Sequence, residues 1–441
     1  MKQHNIDKET SLMPEPQYID SETLRLVLKD FARERSPLAA MQVLFTRMER
    51  FFQIPLPGFK AYVVGGPQAN RQVLVTERNK LLWRSQGDPV TTLLRQGVLV
   101  VDGQEHDDYR SVMEPLLAPA HLPNYVPQIL HHVDRVASTW TDGQTVDMLV
   151  ESRRIALLII MDTLLSVDFW DDLPRMLKPI LKTIKYISPG AWIVFPKLPR
   201  LGYLKSIQDL DQYLFGIIQT RRNTEPIHDL LGHLIDAGLD DERIRDQILT
   251  MLIAGHDTST ALLAWTFYLL GKNPEMVSRL ETDLDEKLQG QPPRTPAGWQ
   301  PPLLDEVIKE TLRLYPPIHL GSRRVAESID INGHCVPVGE RLIYSIYLTH
   351  RDPDIWEEPD EFKPERFAHG RKQPPFAYVP FGGGPRACIG AAFGQAEARL
   401  VIARLLQTYQ FQLTNPKVHT HMGATLEPRS GVFMQVRRKT T

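Results

Sequence analysis

The cysteine at position 388 sits in Phe381-Gly-Gly-Gly-Pro-Arg-Ala-Cys-Ile-Gly390, beside four glycines, Pro385 and Arg386. A helix-prone segment, Ala391 to Gln407, follows at once. Such a cysteine admits four chemistries. It can be an inert thiol buried in a turn. Gly382, Gly384 and Ala387 also match G-x-G-x-x-A, the spacing of a loop that cradles a dinucleotide. A neighbouring base would make the sulfur a nucleophile. Deprotonated, it can ligate a metal.

Three other groupings carry chemistry. Ala254-Gly255-His256-Asp257-Thr258 interrupts the apolar run from Leu249 to Leu270. A glycine inside a helix costs about 1 kcal/mol relative to alanine, so something must offset it. Close approach of a flat ligand to the backbone is one such reason. Thr258 is placed to turn its hydroxyl back onto the Ala254 carbonyl and bend the helix. Asp257 beside it joins an acid to an alcohol, the parts of a proton relay. Glu310 and Arg313 are three apart and share a helix face, and Arg366 in Pro364-Glu365-Arg366-Phe367 is a candidate third member. His106 and Arg110, four apart, share a face in the same way.

Taken together, F-x-x-G-x-R-x-C-x-G at Phe381–Gly390, E-x-x-R at Glu310–Arg313, A-G-x-D-T at Ala254–Thr258 and P-E-R-F at 364–367 occur in the order seen in the cytochrome P450 family. The chain resembles that family from about residue 55 to its C-terminus. The resemblance implies that Cys388 is the proximal thiolate and sole protein ligand of the iron in haem b. The physical reading agrees. With a free pKa near 8.5, only a few per cent of a cysteine is ionised at neutral pH. A helix N-terminus adds about 0.3–1 kcal/mol, less than one pKa unit, so bonding to the iron must supply the rest.

By the same resemblance, His106, Arg110, Arg323 and Arg386 hold the haem propionates. His106 stands where many relatives carry tryptophan. Phe381 and Gly255 match positions against the cofactor. Asp257 and Thr258 match the catalytic pair that delivers protons for O–O cleavage. Glu310, Arg313 and Arg366 match a structural triad behind the haem. The implied reaction inserts one oxygen atom of O2 into a C–H bond, or a double bond, of an apolar molecule such as a lipid, terpenoid, retinoid or sterol-like compound. No flavin-like segment is present, so electrons from NAD(P)H would arrive through a separate ferredoxin or flavodoxin with its reductase. Its docking face would be the cysteine side, where Arg and Lys meet an acidic partner. The alternative keeps the haem but uses peroxide, as a peroxygenase or a hydroperoxide isomerase or dehydratase. Relatives of that kind usually lack the acid–alcohol pair. The dinucleotide reading is weakened by Pro385 and Arg386 inside the loop, and by Gln407 where an acidic residue is needed. No histidine stands in a partner motif for a cysteine nucleophile.

The elements that must position these residues are mostly helices. The long helix runs from Asp240 to Gly271 and stops at Asn273-Pro274. Further helical patterns cover Ser21–Phe52, Pro67–Glu77, Leu122–Leu165 and Leu303–Leu314. Residues 84–100 read as loop. Five prolines among the aromatics of residues 170–205 predict short broken helices, suited to a lid. β-rich portions fall at about 55–80, 320–347 and 410–438. The expected fold is mainly α with smaller β regions, a single domain over 21–441 after a flexible N-terminus at 1–20. The haem would lie between the long helix and the helix after the cysteine loop. Pocket walls are expected from 84–98, 170–205, Ile318–Ser322 and Thr425–Phe433.

Composition bounds the rest. Over 441 residues, 42% hydrophobic and 24% charged residues give an ordinary globular balance. A net charge of −2 leaves no footprint for nucleic acid. Two cysteines make no disulfide framework. The polar start lacks a signal peptide's apolar core. Ile155–Val167 is too short to span a bilayer and contains Asp162, while His256 and Asp257 interrupt Leu249–Leu270. The expectation is a cytoplasmic monomer without a membrane span.

Overall fold

The structure, a computed structural model, describes residues 20–34, 37–48, 50–56, 59–83, 88–189, 200–293 and 301–439. Helices α1 (Ser21–Glu34) and α2 (Pro37–Arg47) precede strands β1 (Phe51–Leu56) and β2 (Phe59–Val64). The sequence predicts one helix from Ser21 to Phe52. Instead Pro37, lacking an N–H to donate, begins a second helix, and Phe51 and Phe52 pair with Val64 and Val63 in an antiparallel ladder.

After α3 (Pro67–Arg71), a wider helical turn at Gln72–Thr76 and β3 (Leu81–Leu82) comes α4 (Pro89–Leu94). This helix corrects the loop expected at 84–100. Its six residues are too few to show periodicity, but the Asp88 carboxylate caps it by accepting from Val90 N at 2.8 Å. Next are α5 (Gly103–Leu117), α6 (Val126–Ala137), β4 (Thr145–Asp147) and α7 (Met148–Leu165). The three-residue β4 lies inside a stretch read as helical; it is held by pairing with a C-terminal strand nearly three hundred positions away, a tertiary cause no local pattern carries.

Helix α8 (Leu173–Ile187) corrects the broken helices expected at 170–205. Pro174 occupies the first turn, where no donor is missed, and Pro179 is accommodated within the helix. The rest of the expected lid, residues 190–199, lies outside the described residues. Then follow α9 (Leu204–Arg222), α10 (Leu230–Asp236), α11 (Asp241–Lys272), α12 (Pro274–Leu288) and α13 (Pro302–Leu314). Strands β5 (Leu320–Val325), β6 (Ile329–Ile331), β7 (His334–Val336) and β8 (Arg341–Ser345) and the short α14 (Ile346–Thr349) precede the cysteine loop. After the loop come α15 (Ala391–Thr408), β9 (Tyr409–Leu413), β10 (Thr420–Met422), β11 (Leu426–Pro428) and β12 (Phe433–Arg438).

The largest sheet has the order β1-β2-β8-β5-β3, antiparallel except for β2 beside β8. A second sheet has the order β4-β12-β9, and β6–β7 and β10–β11 are separate hairpins. Helix α11 is the axis of the molecule, about 48 Å long at 1.5 Å per residue. The Asp240 carboxylate caps its start, accepting from Arg243 N at 2.8 Å, and Pro274 opens the next helix just past its end. A helix apolar nearly all round must be enclosed. Here α7, α9, α13, α15 and β11 pack around it. Among the described residues, no helix is long and apolar enough to cross a membrane.

Candidate active site

From Ile244 to Leu270 every residue of α11 is buried except Ala254, Gly255 and Thr258. These three stand at i, i+1 and i+4, on one face of the helix. An accessible stripe within a stretch of helix buried on both sides of it faces an internal cleft. Thr258 Oγ1 donates to Ala254 O at 2.7 Å, as the sequence predicts. For Gly255 the structure supplies a different reason from ligand approach. A Cβ there would lie 2.4 Å from Ile160 Cδ1, so the glycine lets α7 press against α11.

Asp257 points away from that stripe. Its Oδ2 accepts from Thr425 Oγ1 at 2.8 Å, just ahead of β11. Burial pushes its carboxyl up to about 7, and the nearby Glu427 adds to this, while Thr425 and Arg153 oppose it. Beside it His256 is fully buried, with neither ring nitrogen hydrogen-bonded. Burial and the Arg153 charge push His256 down to about 3, so its ring is neutral.

The cysteine loop closes on itself: Cys388 N donates to Phe381 O at 2.9 Å. Gly384, at φ 66°, must be glycine, because a Cβ would come 2.6 Å from the Leu74 carbonyl oxygen. The Cys388 side chain is accessible, yet protein encloses it enough for desolvation to be the main influence on its thiol. The two observations agree if the sulfur faces an enclosed cleft. Burial pushes the thiol up, opposed by a hydrogen bond from Gly390 N–H and by the Arg110 charge. Phe381, half-buried, packs on the main core at the start of the loop.

The four expected cation positions gather beside this loop. Arg110, on α5, donates from Nη1 to Ala387 O at 2.7 Å and from Nε to Glu114 at 3.3 Å. His106, one turn earlier and buried, bonds Asp107 through Nδ1 at 2.8 Å. Arg386 donates to Val101 O and, at 2.7 Å, to Asp102 Oδ1. Arg323, on β5, is 6% exposed and donates to Ser322 O at 2.8 Å. Its guanidinium lies 3.7 Å from the centroid of the Trp83 ring, and that of Arg386 lies 5.2 Å away. Among the described residues, Arg323 has no carboxylate within ion-pair distance. Arg386 is pushed down by burial and, among other charges, by Arg323 and Arg110. His106 is pushed down by burial and, more weakly, by Arg386 and Arg110. Arg323, buried with no carboxylate partner among the described residues, is a charge that a haem propionate would suit.

The triad expected behind this site is assembled. Glu310 Oε2 accepts from Arg313 Nε at 2.7 Å and Oε1 from Arg313 Nη2 at 2.8 Å. Arg366 Nε reaches Glu310 Oε1 at 3.3 Å. The remaining Arg313 donors reach the carbonyls of His350, Pro359 and Glu361. All three side chains are buried, and they pin α13 to the segment that leads into the cysteine loop.

Several site residues escape the sequence reading. Ser259 Oγ donates to Glu397 Oε2 at 2.6 Å, joining α11 to α15. Glu397 is buried, and desolvation pushes its carboxyl up to about 7. A lone acid within the apolar face of α15 is the signal that could have revealed it. Trp83 and Arg153 have no such signal, while Thr425 and Glu427 fall in the stretch expected to wall the pocket, where nothing signals their bonds to Asp257 and Arg153. Of the expected pocket walls, Ile318 is exposed while His319 is buried. Ser188 Oγ, just past α8, accepts from Ala424 N at 3.1 Å, which brings the 170–205 region to the β10–β11 turn. A groove of about 920 Å3 between α8 and α9 is lined by none of the expected catalytic or cofactor residues.

The cytochrome P450 family profile matches residues 19–434. The chain belongs to the cytochrome P450 family. A Mycobacterium tuberculosis protein named as cytochrome P450 139 is 30% identical over 395 residues, covering 85% of this chain and 91% of that protein. Cyclooctat-9-en-7-ol 5-monooxygenase of Streptomyces melanosporofaciens is 29% identical, over 82% of each chain. Pentalenene oxygenase of Streptomyces avermitilis is 28% identical, over 85% of this chain and 87% of the relative. The crystal structure of the cytochrome P450DA haem domain superposes with a TM-score of 0.80 at 24% identity, covering 94% of this chain and 93% of that one, which bears out the mainly helical fold with small sheets. The chain is therefore a P450 monooxygenase, and its cofactor is haem. The family works with an organic substrate and with electron-delivering partners.

Proposed function

We propose that this P450 inserts one oxygen atom of O2 into a C–H bond or double bond of an apolar terpenoid, with Cys388 as the iron ligand. The observation that carries the reading is the accessible stripe Ala254, Gly255 and Thr258 on an otherwise buried α11, together with the accessible Cys388. The names of the two Streptomyces relatives support the terpenoid class over the wider range of lipid, retinoid or sterol-like molecules.

Haem held at Cys388 supplies the activation of dioxygen and the transfer of one oxygen atom to substrate. The chain's own residues do the rest. Gly390 N–H and the loop around it stabilise the thiolate. Arg323, Arg386, Arg110 and His106 hold the propionates, and Trp83 stacks against two of those cations. Phe381 and Gly255 border the cofactor. Asp257 holds a proton near neutral pH, and the Thr258 hydroxyl passes it into the cleft. NAD(P)H supplies electrons through a separate ferredoxin or flavodoxin and its reductase, docking on the cysteine side.

A ferrous–CO spectrum tests the ligand. We expect the red-shifted Soret band of thiolate ligation, lost in Cys388→Ser; a band typical of histidine ligation would overturn the assignment. Spin-state titration with cyclic terpenes, set against fatty acids and sterols, tests the substrate class. A shift with fatty acids alone would overturn the terpenoid reading. The peroxide-driven alternative is disfavoured by the presence of Asp257 and Thr258. Turnover with peroxide alone, and none with NAD(P)H and redox partners, would restore it.

A further inference from the structure

We propose that the Arg153–Glu427 ion pair is the solvent-side gate through which protons reach Asp257. This deepens the reading of Asp257 as the proton relay and rests on it. Asp257 is 4% exposed. Protons spent in the cleft must therefore be replaced through protein groups.

The polar contacts of Asp257 lead in one direction. Thr425 donates to it at 2.8 Å. Glu427 follows two residues later, in β11, close enough for its charge to act on Asp257. The Glu427 carboxylate accepts from Arg153 Nη2 at 2.7 Å, with side chains 15% and 18% exposed. This pair is where the path meets solvent. The segment is fixed against α11, because Trp265 Nε1 donates to Leu426 O at 2.8 Å.

The surroundings are polar and incompletely bonded. Both ring nitrogens of His256, Oγ1 of Thr260, Oγ of Ser152 and Nε of Arg153 are buried without a hydrogen-bond partner. His256 and Thr260 stand one turn apart on the same face of α11, and Ser152 and Arg153 lie on α7, which packs along it. Buried polar atoms in such number are ligands for internal water. A water file along the α7–α11 seam would carry protons from the ion pair to the acid.

The charged and titratable groups facing Asp257 are Glu427 from β11, Arg153 from α7 and its helix neighbour His256. Glu427 raises the proton affinity of Asp257, and Arg153 lowers it. When Asp257 gives up a proton it becomes anionic. Repulsion then loosens Glu427, and attraction draws Arg153 away from its partner. A proton taken up from hydronium or buffer acid in solvent restores neutral Asp257, and the ion pair closes again. No electron changes hands in this cycle.

The test uses Glu427→Gln, Asp257→Asn and the double variant in the haem-loaded enzyme. For Glu427→Gln we expect coupling of NAD(P)H consumption to product to fall roughly tenfold, with a larger solvent isotope effect. The double variant should be no worse than Asp257→Asn alone, because both act on one path. An infrared titration of the Asp257 carboxyl in the resting protein is independent of turnover. Glu427→Gln should move its midpoint to lower pH, since a repelling charge is removed. If Asp257→Asn leaves coupling unchanged, the relay reading itself falls, and the gate with it. If Asp257→Asn is impaired but Glu427→Gln is normal and leaves the carboxyl midpoint in place, the gate is overturned while the relay stands.

Discussion

Glu397 of α15 and Ser259 of α11 meet at 2.6 Å, both buried, and among the described residues Ser259 is the only hydrogen-bond partner of that carboxyl. A single hydroxyl does not compensate a buried charge, so the folded protein favours the protonated acid. With a folded value of about 7 against 4.5 unfolded, the native state binds more protons than the unfolded state between those limits. Stability then falls as pH rises from 4.5 to about 7 and is level above it. We expect Glu397→Gln to remove a decline on the order of 3 kcal/mol across that window, leaving the share due to Asp257. Denaturant unfolding at closely spaced pH values measures it.

Arg313 makes its contacts at full burial, with two bonds to Glu310 and three to backbone carbonyls. Arg313→Ala would leave Glu310 as a buried charge held only by Arg366 and the Lys363 N–H. We expect a loss of about 3–5 kcal/mol. Lysine should not rescue it, because an ammonium cannot fill a planar five-donor site. Urea midpoints of the two variants check both statements.

The contrast between these residues and Trp83 or Glu427 shows what a sequence can carry. Glu310 and Arg313 are legible because their pairing needs particular residue types a few positions apart, and the roles proposed for Cys388, Arg386, Asp257 and Thr258 rest on short motifs of the same kind. Glu397 joins Ser259 across 138 positions, Thr425 joins Asp257 across 168, and Glu427 joins Arg153 across 274. Only the folded chain creates those pairs. The fold follows the same division. Helix α11 is written in its length, its acidic cap and its stop at Pro274. Strand β4 has three residues and exists only because β12 pairs with it. Helix α8 survives two prolines because its apolar side, Leu173, Met176, Ile180 and Ile184, is buried, and burial outweighs local propensity.

Of the four cations proposed to hold the propionates, Arg323 is the one that no carboxylate pairs with among the described residues. Arg323→Gln keeps hydrogen-bonding capacity and the packing on Trp83 but removes the charge. A charge-assisted hydrogen bond contributes about 1.5–3 kcal/mol. We expect haem to transfer to an acceptor apoprotein at least about tenfold faster than from the parent, with the thiolate spectrum unchanged before transfer. An unchanged transfer rate would remove Arg323 from the propionate site.

Thr258 combines a bond back to its own helix backbone with an accessible hydroxyl. Its Oγ1 is 2.7 Å from Ala254 O and 3.3 Å from Gly255 O, on the accessible stripe between Ile244 and Leu270 of α11. Thr258→Ala removes the hydroxyl but keeps the helix, so folding and the thiolate spectrum should persist. Proton delivery should not. We expect NAD(P)H consumption to continue while reducing equivalents leave as hydrogen peroxide, with the coupled fraction falling roughly tenfold. Thr258→Ser retains a hydroxyl able to reach the same carbonyls and should recover most of the coupling. Thr258→Val, which matches threonine in shape but lacks the hydroxyl, should behave like alanine. Parallel assays of peroxide and product for the three variants separate loss of the hydroxyl from loss of packing. If valine restored coupling, Thr258 would be acting through shape alone.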